Sequence, residues 1–141
     1  MSALDALPHG QEFRFIDALV SLDGGKRAVG SYRVRGDEAF LAGHFPGRPL
    51  MPGVILVEAI AQLGGVAAQS DPEVPPVAGL LLTGIRGAKI LGAAVPGDLL
   101  EITAEVEGRL GPMIQISGEV RTGGRLLASA KVQLAGGPAG D

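Results

Sequence analysis

Two side chains suited to proton transfer near neutral pH, His44 and Glu58, stand fourteen positions apart in the stretch GHFPGRPLMPGVILVEAIAQLGG, from Gly43 to Gly65. An imidazole titrates near neutrality and serves as general base or acid, and a carboxylic acid complements it where the surroundings keep it protonated. His44 is flanked by Gly43 and by Phe45-Pro46-Gly47, a stiff frame that can hold the ring in a set direction. Glu58 lies in an otherwise apolar run with Gln62 four residues on, where an amide could donate to the carboxylate and orient it.

On helical spacing Val54, Val57, Glu58, Ala61 and Gly65 share a face, so the carboxylate points along an apolar stripe. An unpaired charge there is costly, which leaves three outcomes: a protonated acid, a paired carboxylate, or a group lining a cavity that admits water or ligand. Gly53, at the first turn, has a backbone N–H without an intrahelical partner, at the positive end of the helix dipole. Such a group can polarise a carbonyl oxygen that gains negative charge. Each residue taken alone has an ordinary alternative. Glu58 and Gln62 could be a satisfied polar pair at a subunit contact, His44 a surface histidine, and Gly53 a plain helix start after Pro52. Their combination favours chemistry.

The elements that must position these residues follow from pattern. Strands are expected at Phe13 to Leu22 and Arg27 to Arg35, joined by Asp23-Gly24-Gly25, with Ala28, Gly30, Tyr32 and Val34 facing inward. A Gly/Pro loop from Gly43 to Gly53 leads into a helix starting near Val54, apolar all round and therefore enclosed. Beyond the break at Asp71 to Pro76, the apolar run Val77 to Ile85 predicts a strand buried on both faces. Three alternating segments complete the chain. Leu100, Ile102, Ala104 and Val106 face inward in the first, and Ile114, Ile116, Gly118 and Val120 in the second. Leu126, Ala128, Ala130, Val132 and Leu134 do so in the third, with turns at Gly108 to Pro112 and Gly123-Gly124. One long apolar helix with several strands implies an α+β domain, an antiparallel sheet wrapped around the helix, over residues 1–135 with a flexible tail at 136–141.

Bulk composition narrows the function. A chain of 141 residues, 46% hydrophobic, builds one core, and a formal net charge of −3 gives no global basic field for nucleic acid. The absence of cysteine excludes disulfides, thiolate nucleophiles and cysteine metal sites. The start MSALDALPHGQEF lacks a cationic segment followed by an apolar one, so the cytoplasm is the expected compartment, and the run Val54 to Ala68 falls short of a membrane span. No nucleophile elbow or Walker loop is present.

The residues closely resemble the β-hydroxyacyl-[acyl-carrier-protein] dehydratases of fatty acid synthesis, the type with glutamate on the central helix. The likeness starts at Leu7-Pro8-His9, passes through Phe15-Ile16-Asp17, peaks at Gly43 to Gly65 and returns at Val95-Pro96-Gly97-Asp98. It implies a hot-dog fold, a homodimer whose sheets pair side by side and often a trimer of such dimers, with no metal or organic cofactor. It further implies that His44 of one subunit faces Glu58 of its partner at an apolar tunnel. There His44 would take the α-proton of an (R)-3-hydroxyacyl thioester, Glu58 would help the hydroxyl leave, and the Gly53 N–H would polarise the thioester carbonyl.

Acyl carrier protein is acidic, so Arg86, Lys89 and Arg48 are docking candidates, with ordinary solvated charges as the alternative for each. His9 is assigned to a turn. The chain departs from the family where an arginine usually follows Pro-His (here Gly10), where a basic residue follows Asp17 (here Ala18), and through Arg86 to Ala94. Those changes bear on substrate shape and partner choice. A hot-dog thioesterase, with an acid that activates water, and a non-catalytic acyl-binding subunit are the competing functions.

Overall fold

The alternating segments after Leu99 form three long antiparallel strands, and every other element is arranged around them. The computed structural model describes Leu4, residues 14–38, Leu41 and residues 50–136. Within these lie β1 (Ala18–Asp23), β2 (Arg27–Arg33), helix α1 (Gly53–Gln69), β3 (Leu81–Ile90), β4 (Leu99–Leu110), β5 (Met113–Thr122) and β6 (Arg125–Ala135). The strands make one antiparallel sheet in the order β1-β2-β4-β5-β6-β3. The expected tail lies outside the described residues except for Gly136, whose N–H donates to Pro112 O at 3.2 Å.

Period-two alternation puts the apolar faces of β2, β4, β5 and β6 on α1. Ala28, Tyr32, Leu100, Ile102, Ile114, Ile116, Ala128 and Val132 are buried there with Leu56, Ile60, Leu63 and Val66 of the helix. Close approach needs glycine at Gly64, where a Cβ would meet Ile116 Cγ2 at 2.6 Å, and at Gly118, where it would meet Ile60 Cγ2 at 2.6 Å. The C-terminal end of α1 is fixed by its neighbours: Gly25 N–H donates to Ala67 O at 2.7 Å, and the Arg109 guanidinium donates to Ala68 O.

Three expectations need correction. The run Val77 to Ile85 is not a doubly buried strand. Gln69 clamps Val77 through both its N–H and its carbonyl (2.9 and 2.7 Å), and Gly79 turns the chain at φ +62°. The strand begins only at Leu81, runs through Arg86 and Lys89 to Ile90, and lies at the sheet edge with Leu81, Ile85 and Ile90 at least half exposed. Among the described strands it has one neighbour, so continuous apolar character here belongs to an edge strand. Similarly, β1 starts at Ala18, and Phe15 and Ile16 before it are buried as an irregular segment packed on the core; Phe13 lies outside the described residues. In β6 a bulge opposite Val120/Arg121 places Leu127 in the core, with Leu126 half-buried.

Candidate active site

Glu58 is the one charged residue of α1. From Leu56 to Ala68 every other residue of the helix is buried, and Glu58 alone is half-buried. The stripe Val54, Glu58, Gln62 explains this. Its first member is 75% exposed and its last 2% exposed, so the carboxyl sits where the helix passes from an open end into the core. Burial pushes the Glu58 carboxyl above its usual range, as removal from water disfavours the charged form.

Gln62, expected to orient Glu58, is held by the segment before β1: its side-chain oxygen accepts the Phe15 N–H at 2.9 Å. The carboxamide therefore fixes where Phe15 meets the helix one turn beyond Glu58.

Gly53 is the first residue of α1, after Pro52, and the helix has no side-chain N-cap and no acidic residue in its first turn. Its lack of a side chain has a packing reason as well, since a Cβ would lie 3.0 Å from Ile90 Cγ1 and Cγ2 at the end of β3. The preceding chain is pinned at Met51, which is buried, bridges Ala94 and donates its N–H to Ala94 O at 2.9 Å. His44, Arg48 and His9 lie outside the described residues, as do Gly10 and the loop from Gly43 to Pro49.

Arg86 and Lys89 stand on the exposed edge strand, directly opposite Lys131 and Ser129 of β6. With Gly87, Ser117, Gly118 and Ala130 these four line a shallow depression of about 510 Å³ with no acidic residue among its described lining. Like charges directly across a ladder repel, so Arg86 beside Lys131 makes a patch of concentrated positive charge. Lys131 reads in the sequence only as an outward-facing residue of the last strand, because its partnership with Arg86 depends on a register that strand pairing sets.

One helix held by a six-stranded antiparallel sheet, with the acid at the helix's open end, is the hot-dog fold. By its match to the FabA-like domain over residues 7–131, the chain belongs to that family. It is 36% identical over 138 residues to the 3-hydroxyacyl-[acyl-carrier-protein] dehydratase FabZ of Syntrophotalea carbinolica, covering 94% of this chain and 90% of the relative. It is 40% identical over 131 residues to the protein of the same name from Desulforamulus reducens, covering 92% and 90%. Among solved structures, the dehydratase heterocomplex ApeI:P from Xenorhabdus doucetiae superposes with a TM-score of 0.82 at 18% identity, covering 99% of this chain and 93% of that one, a likeness of fold.

Proposed function

We propose that this chain is a 3-hydroxyacyl-[acyl-carrier-protein] dehydratase, a hydro-lyase that converts a carrier-bound (R)-3-hydroxyacyl thioester into water and the trans-2-enoyl thioester on the same carrier. The observation that carries the assignment to particular residues is Glu58, the single acid of a buried helix, half-buried and with its carboxyl held above the ordinary range.

His44, in its Gly/Pro frame, takes the α-proton as general base. The electron pair moves toward the thioester carbonyl, whose oxygen meets the Gly53 N–H at the uncapped start of α1. Glu58, its carboxyl held above the usual range by burial, gives its proton to the β-hydroxyl as the C–O bond breaks, and water leaves. Gln62 fixes the helix below the acid through Phe15.

The active unit is a homodimer joined along the free edge of β3, where Leu81, Ile85 and Ile90 await cover. This pairing brings His44 of one copy toward Glu58 of the other, and trimers of such dimers are the larger assembly of this reading. Arg86, Lys89 and Lys131 receive the acidic face of the carrier protein, with Arg48 as a further cation. The strand bearing Arg86 and Lys89 ends against Gly53, so a carrier seated there delivers its chain beside the helix entrance. Among the described residues no helix is long and apolar enough to cross a membrane, and the cytoplasm is the compartment we assign.

Incubation with a (R)-3-hydroxyacyl carrier thioester tests this reading. A dehydratase yields an enoyl product absorbing in the ultraviolet, and His44→Ala or Glu58→Gln, still folded, loses about 10²–10⁴-fold in turnover. Release of free thiol in place of enoyl product would make the protein a thioesterase, and binding of the carrier without product would make it an acyl-binding subunit.

A further inference from the structure

Six residues before His44, the carboxylate of Glu38 gathers the end of β2. Its Oε2 accepts the Tyr32 hydroxyl at 2.7 Å and the Arg35 N–H at 2.9 Å, while Oε1 accepts the Gly36 N–H at 2.7 Å. The Glu38 side chain is only 9% exposed. Burial alone would raise its pKa, but the donated hydrogen bonds from Arg35, Gly36 and Tyr32 outweigh this and hold the carboxyl below its usual range. The Glu38 carbonyl in turn accepts the Leu41 N–H at 3.0 Å, and Leu41 is buried three residues before His44.

The same carboxylate is joined to the helix that carries Glu58. Tyr32, 3% exposed, stands edge-on to Phe15 with ring centroids 6.1 Å apart, and the Phe15 N–H donates to Gln62 one turn past Glu58. Arg35 closes the outer side: its guanidinium lies 5.2 Å from the Tyr32 ring centroid and pairs with Asp17, whose second oxygen accepts the Arg33 N–H. Glu38, Tyr32, Phe15 and Gln62 thus form one continuous set of contacts between the chain entering the His44 loop and the central helix.

We propose that Glu38 is a positioning residue for the elimination, fixing the exit of β2, and with Tyr32 the entry to the His44 loop, relative to α1. The inference rests on the assignment of His44 as base. A carboxylate serves here because it accepts three hydrogen bonds at once without donating; a carboxamide in its place turns an NH₂ toward one of those donors. A misplacement of about 1 Å in a reacting group costs about 10²-fold in rate, so a local loosening reads out in turnover.

The test compares Glu38→Gln, Tyr32→Phe, His44→Ala and a core variant, Ile102→Val, in the full chain, measuring kcat, KM and Tm with carrier-bound substrate. We expect kcat to fall about 10-fold or more in Glu38→Gln and about 3-fold or more in Tyr32→Phe, with KM within about twofold. Ile102→Val should lose Tm and keep its kcat. If Glu38→Gln does not fold, Tyr32→Phe decides, since it keeps the ring and removes only the hydroxyl. Unchanged kcat in the folded Glu38 or Tyr32 variant, or a rise in KM alone, overturns the inference while an inert His44→Ala leaves the assignment of the base standing. Full turnover in His44→Ala overturns both.

Discussion

The side-chain oxygen of Gln62 accepts the backbone N–H of Phe15 at 2.9 Å, one helical turn beyond Glu58. This buried contact couples the irregular segment ahead of β1 to the helix, and its loss deprives the Phe15 N–H of that acceptor. Replacing Gln62 by Ala should therefore destabilise the fold by about 1–3 kcal/mol, the cost of an unmet buried hydrogen bond. Chemical denaturation of the variant, compared at a constant m-value, measures it.

Glu58 has a second signature in stability. Its carboxyl is raised above the ordinary value of 4.5 by burial, so the folded state holds its proton more tightly than the unfolded chain does. The stabilisation from that proton is full below the unfolded value and fades as pH rises through the higher folded value. Glu58→Gln removes the titration. Its Tm relative to wild type should rise from pH 4 to pH 8 even as turnover vanishes, and thermal melts across that range check the sign. A difference that is flat or falls with pH would mean that burial does not penalise the carboxylate.

Arg86 and Lys89, with Lys131 opposite, place three cations around one depression on β3 and β6. Charge reversal at Arg86 and Lys89 should raise KM for carrier-bound substrate about tenfold or more, while a small-molecule thioester keeps its KM and kcat. An equal loss with both substrates would place these residues in fold stability and remove them from docking.

The sequence carried the central helix, the three long strands and their inward faces up to the bulge that turns Leu127 in place of Leu126 into the core, because each is set by a local period. Edge status is different. Leu81 and Ile85 look like residues of an enclosed strand, yet β3 has one neighbour among the described strands, and nothing in the apolar run records how many strands flank it. The turn at Gly79 and the clamp of Gln69 on Val77 likewise depend on where the helix ends in space.

At the site, Glu58 was legible as a lone acid in an apolar run, and Gly53 as a helix entrance. Gln62 was legible as a polar residue in the core, but its partner, forty-seven positions away, was not. Glu38 gave a weaker signal: an acid two residues after Gly36 suits a turn, and its hold on Tyr32 emerges only when β2 folds back on it.

The central claim is that one reaction centre takes His44 from one copy of the chain and Glu58 from another. The most direct measurement is the activity of His44→Ala and Glu58→Gln protein mixed, unfolded together and refolded. Each variant alone is predicted to be inert, and random pairing in equal amounts leaves about one site in four with both residues intact, so about a quarter of wild-type turnover should return. A mixture as inert as its components, although it forms mixed dimers, would contradict the shared site.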